Sequence, residues 1–166
     1  MTDPSLDIGR ATEADVAGIL ELQAANQQAC GGMLSAELPR GRVEAMMRSM
    51  PLIVARRSGR VVGFLMATTQ DMNSGLAVVR AMFDAYPSSP ESYVYGPICV
   101  DPSERGQGLA AAMFAVLRAL EPGREGVLFI RSDNTPSLLA HRKMGMREVA
   151  HFELGGAHFA VFSYTG

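Results

Sequence analysis

The spacing of hydrophobic residues changes along the chain, and each change marks a switch between helix and strand. Apolar residues at helical spacing predict a helix that Thr12 caps and that runs to about Gln27. A second helix is predicted to end near Pro51. Apolar runs on both sides of Ser58-Gly59, and again around Gly155-Gly156, predict two β-hairpins.

The rest of the chain alternates between strands and helices. Further strands are predicted over 6–10, 91–100 and 126–132, and further helices over 76–86, 109–117 and 134–144. This order predicts an α/β (α+β) fold, with a mixed sheet and helices packed against it.

Composition places the chain among ordinary globular proteins. It has 166 residues, of which 48% are hydrophobic and 19% charged, so we expect a single domain over 1–166. The net charge of −2 argues against binding to nucleic acid. Arg56, Arg57 and Arg60 flank the first predicted hairpin turn, where we expect them to be solvated.

The two cysteines, Cys30 and Cys99, have no metal-ligand spacing and predict neither a disulfide framework nor a metal site. The first ten residues are polar and acidic, which does not fit a signal peptide. The most apolar stretch is too short to cross a bilayer. We therefore expect a cytoplasmic protein that does not bind membranes.

The stretch 101–117, "DPSERGQGLAAAMFAVL", places two glycines at the start of a predicted helix. Free backbone N–H groups and the helix dipole make such an end an anion site. Gly106 and Gly108 allow the backbone to approach a phosphate, and the guanidinium of Arg105 adds a matching charge. These residues indicate a diphosphate ligand.

Gly106, Gly108 and Ala111 also satisfy the dinucleotide pattern G-x-G-x-x-A. However, five residues separate the predicted strand from the first glycine, and the pattern does not open the domain. A dinucleotide-binding oxidoreductase is therefore disfavoured. The phosphate-loop pattern G-x-x-x-x-G-K-[ST] does not occur in the sequence.

The stretch instead resembles the GNAT superfamily of acyl-CoA-dependent N-acyltransferases. The family signature [Q/R]-x-x-G-x-[G/A], after a strand ending V-x-P, is matched by Val100, Pro102, Arg105, Gly108 and Ala110. The second family pattern, N-x-x-A-x-x-F-Y-x-K-x-G-F, falls on Asn134, Ser137, Ala140, His141, Lys143, Gly145 and Met146.

The resemblance implies a mainly antiparallel sheet whose two central strands, "YGPICV" and "GVLFIRS", splay apart to admit acetyl-CoA as acyl donor, without a metal. Main-chain groups at 98–100 would then bind the pantetheine arm, and the Val100 amide would support the thioester oxygen. The residues expected to contact the donor are Ile98, Cys99, Val100, Arg105, Gly106, Gln107, Gly108, Leu109, Ala110 and Asn134. Asn134 is equally expected as a helix N-cap.

The resemblance also implies direct attack of an amine on the thioester, with Cys99 as a buried hydrophobe rather than a nucleophile. Where the family has a tyrosine that protonates the leaving thiolate, this chain has His141. His141 is the candidate acid, or a surface histidine. Candidates for the base are Tyr93, Tyr95 and Glu91, of which Tyr95 is nearest to Gly96-Pro97. Strand packing or a solvated charge is also open for these residues, and so is a water relay from main-chain groups. The acceptor pocket is expected from 26–40 and 70–90.

The leading hypothesis is an acetyl-CoA-dependent N-acetyltransferase acting on a small-molecule or protein amine, as a monomer or homodimer. The missing tyrosine keeps a second hypothesis open, in which the chain binds acyl-CoA as a sensor without catalysis. The oxidoreductase is the third.

Overall fold

The computed structural model describes residues 5–27 and 37–166. Within them the chain forms seven strands and five α-helices, in the order that the sequence predicts. The strands are β1 (Leu6–Arg10), β2 (Ile53–Arg57), β3 (Arg60–Thr69), β4 (Tyr93–Val100), β5 (Glu125–Arg131), β6 (Arg147–Leu154) and β7 (Ala157–Thr165). The helices are α1 (Val16–Ala25), α2 (Arg40–Ser49), α3 (Ala77–Ala85), α4 (Leu109–Leu120) and α5 (Thr135–Lys143).

The chain divides into two compact units, and the first comprises Met1–Ala67 and Gly96–Leu120. Here β1 pairs antiparallel with β2, β2 pairs antiparallel with β3, and β3 is hydrogen-bonded to β4. Helix α4 packs on β1 and β2 because its apolar residues recur every three to four positions. Its buried face consists of Leu109, Met113, Phe114 and Leu117.

The second unit comprises Thr68–Tyr95 and Glu121–Gly166. The start of β4 pairs in parallel with β5, β5 pairs antiparallel with β7, and β7 pairs antiparallel with β6. Helix α3 packs on β6. The hydrophobic core of this unit is formed by Val79, Met82, Val94, Val127 and Val161.

The predicted fold class, a mixed and mainly antiparallel sheet with flanking helices, is confirmed. Strands β4 and β5 contain eight and seven residues but pair at two positions, Tyr93 with Gly126 and Val94 with Val127. This short parallel pairing is what splayed central strands produce. The single-domain assignment stays a prediction.

The Thr12 cap of the first predicted helix is confirmed, but its first turn is not α-helical and the helix ends earlier than predicted. Its first turn, Glu13–Asp15, is a 3-10 turn, and the Asp15 carboxylate accepts a hydrogen bond from the Thr12 amide at 2.8 Å. The helix ends at Ala25 rather than near Gln27 because Asn26 leaves the helical region, with φ −115° and ψ 16°.

Candidate functional site

The glycine stretch forms the connection between β4 and α4 in the first unit. A 3-10 turn over Pro102–Glu104 begins at Asp101, whose carboxylate accepts the Ser103 amide at 2.9 Å. Gly106 and Gly108 have φ values of 79° and 78°, a region that L-residues with side chains rarely adopt. A Cβ at either position would meet nothing within 4 Å, so the backbone conformation itself requires glycine here. This explains why two glycines precede α4.

Arg57 on β2 holds this connection in place. Its Nε donates to Glu104 Oε1 at 2.7 Å, and its Nη2 donates to Oε2 at 2.9 Å. Nη2 also donates to the side-chain oxygen of Gln107 at 3.4 Å, which reaches the loop between the two glycines. Arg56 is similarly engaged, with bonds to both oxygens of Asp15 at 2.8 and 2.6 Å. The expectation that Arg56 and Arg57 are solvated was therefore wrong, while Arg60 is exposed.

Arg105 turns back toward the end of β4. Its Nε donates to the Val100 carbonyl at 3.3 Å, and its Nη2 donates to Oδ1 of Asn26 at 3.4 Å. Asn26 is buried and donates in turn to the Leu22 carbonyl at 2.8 Å. Asn26 begins the segment 26–40 that was expected to form the acceptor pocket, but its contact with Arg105, 79 residues away, has no signal in the local sequence.

The end of β4 carries the three residues predicted to bind the donor through main-chain groups. Ile98 and Val100 are half-buried, and the Cys99 side chain is buried. Burial raises the pKa of the Cys99 thiol to about 11, while the charge of Arg105 opposes this shift weakly. A thiol in this state is protonated at neutral pH and is a poor nucleophile.

In the second unit, the structure brings together Tyr95 and His141, the two residues predicted for catalysis. The Tyr95 hydroxyl lies 3.1 Å from His141 Nε2, and the two rings meet edge to face with centroids 5.5 Å apart. Each residue is 4% exposed, so the expectation of a surface histidine does not hold. The two positions lie 46 residues apart in sequence.

The other ring nitrogen of His141 determines which way the hydrogen bonds run. Nδ1 lies 2.7 Å from the Ser137 carbonyl oxygen and 3.3 Å from the Ser137 hydroxyl. A carbonyl only accepts, so Nδ1 carries the hydrogen. Burial lowers the pKa of His141 and keeps it neutral, so Nε2 has a lone pair that accepts the Tyr95 hydroxyl. Burial also raises the pKa of Tyr95 far above its ordinary value, which keeps this hydroxyl protonated.

Two more tyrosines surround this pair. Tyr164 on β7 packs edge-on against Tyr95 at 5.9 Å between centroids, and its hydroxyl is hydrogen-bonded to that of Tyr93. Tyr164 lies directly over Gly126 of β5, where a Cβ would overlap its ring. Glycine at position 126 therefore makes room for Tyr164 beside Tyr95.

Asn134 is the N-cap of α5, and its Oδ1 accepts the Ser137 amide at 3.3 Å. Of its two expected roles, the N-cap is confirmed, and contact with the donor stays a prediction. Across residues 5–27 and 37–166, no group of three or more His, Cys, Asp or Glu side chains could hold a metal ion. No helix in these ranges is long and apolar enough to span a membrane.

A loop with two positive-φ glycines before a helix, in a mainly antiparallel α/β fold with a short parallel pairing, is typical of acyltransferases. Residues 16–146 match the Acetyltransferase (GNAT) family, and the chain belongs to this family. No curated protein matches the sequence significantly.

Solved structures share the fold at low sequence identity. YncA from Salmonella typhimurium, solved with its cofactor acetyl-CoA, is 18% identical, with a TM-score of 0.70 over 97% of this chain and 94% of that one. A phosphinothricin acetyltransferase from Sinorhizobium meliloti, in complex with acetyl-CoA, is 17% identical, with a TM-score of 0.71 over 97% and 88%. The ribosomal-protein-S18-alanine N-acetyltransferase from Escherichia coli is 10% identical, with a TM-score of 0.67 over 96% and 93%.

Proposed function

We propose that the chain is an acetyl-CoA-dependent N-acetyltransferase that transfers the acetyl group directly to an amine. The observation that carries this proposal is the connection over 101–108. Two glycines with positive φ expose main-chain N–H groups immediately before α4, and α4 has no acidic residue in its first turn. Such an end binds an anion, and the diphosphate of acetyl-CoA has that charge.

The identity of the donor has independent support. Two solved structures of the same fold contain acetyl-CoA. The residues that would hold it include Ile98, Cys99 and Val100, through main-chain groups, and 105–110, through the amides of the loop and the start of α4. No metal is part of the proposal.

The acceptor is a primary amine of a small molecule or of a protein. The named substrates of two structural neighbours, phosphinothricin and the S18 alanine, define the two classes to be compared. In the acceptor region expected from the sequence, residues 28–36 lie outside the described part of the chain. A cytoplasmic location, and a monomeric or homodimeric state, stay predictions.

Thermal unfolding with candidate ligands tests the donor. At a concentration about 100 times Kd, a ligand that binds only the folded state adds about 2.7 kcal/mol of stability. We expect acetyl-CoA to raise the melting temperature and NADH and ATP to leave it unchanged. A shift with NADH and none with acetyl-CoA contradicts the proposal.

Acetyl transfer is then measured as CoA release with a fixed panel of amines. The panel contains phosphinothricin, the free amino acids, a polyamine and a peptide with an N-terminal alanine. Acceptor-dependent release, with the acetylated amine confirmed by mass spectrometry, supports the enzyme. Binding of acetyl-CoA without transfer to any member favours the non-catalytic sensor instead.

A further inference from the structure

His141 stands where the family has its thiolate-protonating tyrosine, but its hydrogen bonds do not suit an acid. Its single N–H group, on Nδ1, is donated to the Ser137 carbonyl inside its own helix. The nitrogen that faces away from the helix, Nε2, accepts from Tyr95. A neutral imidazole has one donor and one acceptor, so no second hydrogen is available for a leaving group.

Tyr95 differs from His141 because its hydroxyl can exchange protons in two directions. Its hydrogen points to Nε2 of His141, and a hydroxyl oxygen can also accept. Tyr95 also directly precedes Gly96, where β4 enters the segment expected to bind the donor. Of the two residues, Tyr95 lies nearer along the chain to the segment expected to bind the donor.

We propose that Tyr95 is the catalytic residue and that His141 is a positioning residue, which orients the Tyr95 hydroxyl and stores the proton in transit. This inference rests on the proposed acetyl transfer. It reverses the roles expected from the family motif, in which position 141 supplies the acid.

The proton balance of the step is simple. As the amine attacks, a C–N bond forms and the C–S bond breaks. The amine proton passes to the oxygen of Tyr95 while the Tyr95 proton passes to Nε2 of His141. Nε2 then returns its proton to the Tyr95 oxygen while the Tyr95 hydroxyl proton passes to the thiolate, giving the amide and free CoA. A phenolate never forms, so the raised pKa of Tyr95 is no obstacle. A thiolate with an ordinary pKa of about 8.5 takes a proton readily from this imidazolium.

The titratable groups on the strands around the Tyr95–His141 pair are mainly tyrosine hydroxyls. Tyr95 comes from β4, and Tyr164 from β7 packs against it. Arg142, which follows His141 on α5, is the nearest cation in the sequence. It pairs with Glu148 at 2.9 Å and lies over the ring of Phe162. Burial is the main cause that lowers the pKa of His141.

The first experiment measures the tautomer of His141 in the free protein by 15N NMR, without any need for an acceptor. We expect the Nδ1–H form at pH 7.5, and we expect Tyr95→Phe to perturb the His141 signals. Tyr93→Phe is the matched control, because it removes an equally buried hydroxyl from the same strand that bonds to Tyr164 instead. An Nε2–H tautomer, or an equal response to both variants, overturns the pairing.

The second experiment measures kcat against pH, with acetyl-CoA and the fastest amine of the panel. Nε2 accepts only while His141 is neutral, so kcat of the parent falls as pH drops through the His141 pKa, below its ordinary 6.5. His141→Gln offers an acceptor that neither titrates nor takes up a proton, so it should lower kcat by about 100-fold with little change in KM, and the remaining activity should lack this acid limb. Tyr95→Phe should lower kcat by about 100-fold or more with little change in KM.

The outcomes separate the two proposals. If the parent acetylates no amine in the panel, the proposed function fails. If the parent transfers acetyl and His141→Gln keeps the acid limb, or Tyr95→Phe keeps the parent's kcat, the function stands and the proton relay is wrong. Tyr93→Phe should keep the pH profile of the parent.

Discussion

Arg57 and Glu104 form a two-point ion pair that joins β2 to the turn before the glycine loop, with N–O distances of 2.7 and 2.9 Å. Glu104 is 8% exposed, so its charge is largely removed from water. The planar guanidinium matches both carboxylate oxygens, which fixes orientation as well as distance. The pair therefore determines where the loop over 105–108 begins.

Removal of Arg57 tests this role. Arg57→Ala leaves a buried carboxylate without its partner and should lower the free energy of unfolding by about 2 kcal/mol. It should also weaken acetyl-CoA binding, because the loop loses its anchor at Glu104 and Gln107. Both effects are measured by chemical denaturation and calorimetric titration. Arg57→Lys keeps the charge without the two-point geometry and should be intermediate.

Arg60 provides the control for this prediction. It lies in the same hairpin, and its pair with Asp101 spans 3.5 Å with the Arg60 side chain 72% exposed. Exposed pairs contribute little, so Arg60→Ala should change stability by less than about 1 kcal/mol. If Arg60→Ala weakens acetyl-CoA binding as much as Arg57→Ala, the anchoring role is wrong.

The partners of Arg56 and Arg57 could not be predicted from the sequence. Arg56 and Arg57 were expected to be solvated because they precede a turn, yet their partners Asp15 and Glu104 lie 41 and 47 residues away. Local pattern cannot reveal such pairs, since they depend on strand register and on how α1 and the glycine loop approach β2. The positive φ of Gly106 and Gly108, by contrast, is a local property, and the two glycines before a predicted helix were its local signal, although the sequence was interpreted only as making room for a phosphate.

The contact between Tyr95 and His141 shows the same division. The sequence pointed to His141 through its place in the second family pattern, and to Tyr95 through its place on a predicted strand. It did not indicate that the two residues are in contact. Their hydrogen bond joins residues 46 positions apart in the sequence, and the tautomer depends on the Ser137 carbonyl within α5. Tertiary contact therefore changed the expected chemistry of His141 from donor to acceptor.

Gly108→Glu tests the anion site directly. The new side chain meets no atom within 4 Å of its Cβ, but it places a carboxylate beside the main-chain N–H groups before α4. We expect acetyl-CoA binding to be lost while far-UV circular dichroism stays that of the folded parent. The positive φ adds a conformational cost of about 1–2 kcal/mol.

Two variants separate charge from backbone strain. Gly108→Ala carries the strain without the carboxylate and should retain measurable binding. Gly155→Glu places the same side chain at another positive-φ glycine, in the turn between β6 and β7, and should bind acetyl-CoA normally. Unchanged affinity in Gly108→Glu would show that the diphosphate binds elsewhere.

The Cys99 thiol should be unreactive in the folded protein. Because burial raises its thiol pKa to about 11, almost none is thiolate at pH 8, and the side chain is 7% exposed. We expect iodoacetamide to label Cys99 in the native protein far more slowly than in urea, as measured by mass spectrometry of its peptide. Cys99→Ala should keep the parent's kcat. A loss of transfer with acetyl-CoA binding intact would instead indicate a covalent acetyl intermediate.

Gly126→Ala should be the most damaging small substitution near Tyr95 and His141. Its Cβ would overlap the ring of Tyr164, and that ring is held by the Tyr93 hydroxyl and by packing against Tyr95. Tyr164 has to move to remove this overlap. We therefore expect the free energy of unfolding to fall by about 3 kcal/mol, which is at the upper end of the cost of overpacking a core. Displacement of Tyr164 should also shift the His141 NMR signals, because Tyr95 contacts both side chains.

Gly63→Ala is the matched control, since it also adds a methyl group to a buried strand glycine. Its Cβ would lie 3.1 Å from the terminal methyl of Met113 and 3.3 Å from the Cys99 carbonyl, and the methionine end can adjust. We expect a cost of about 1 kcal/mol and unchanged His141 signals. Equal destabilisation by the two variants would mean that Tyr164 is not fixed in place. Unchanged His141 signals in Gly126→Ala would mean that Tyr164 does not help to hold Tyr95 against the imidazole.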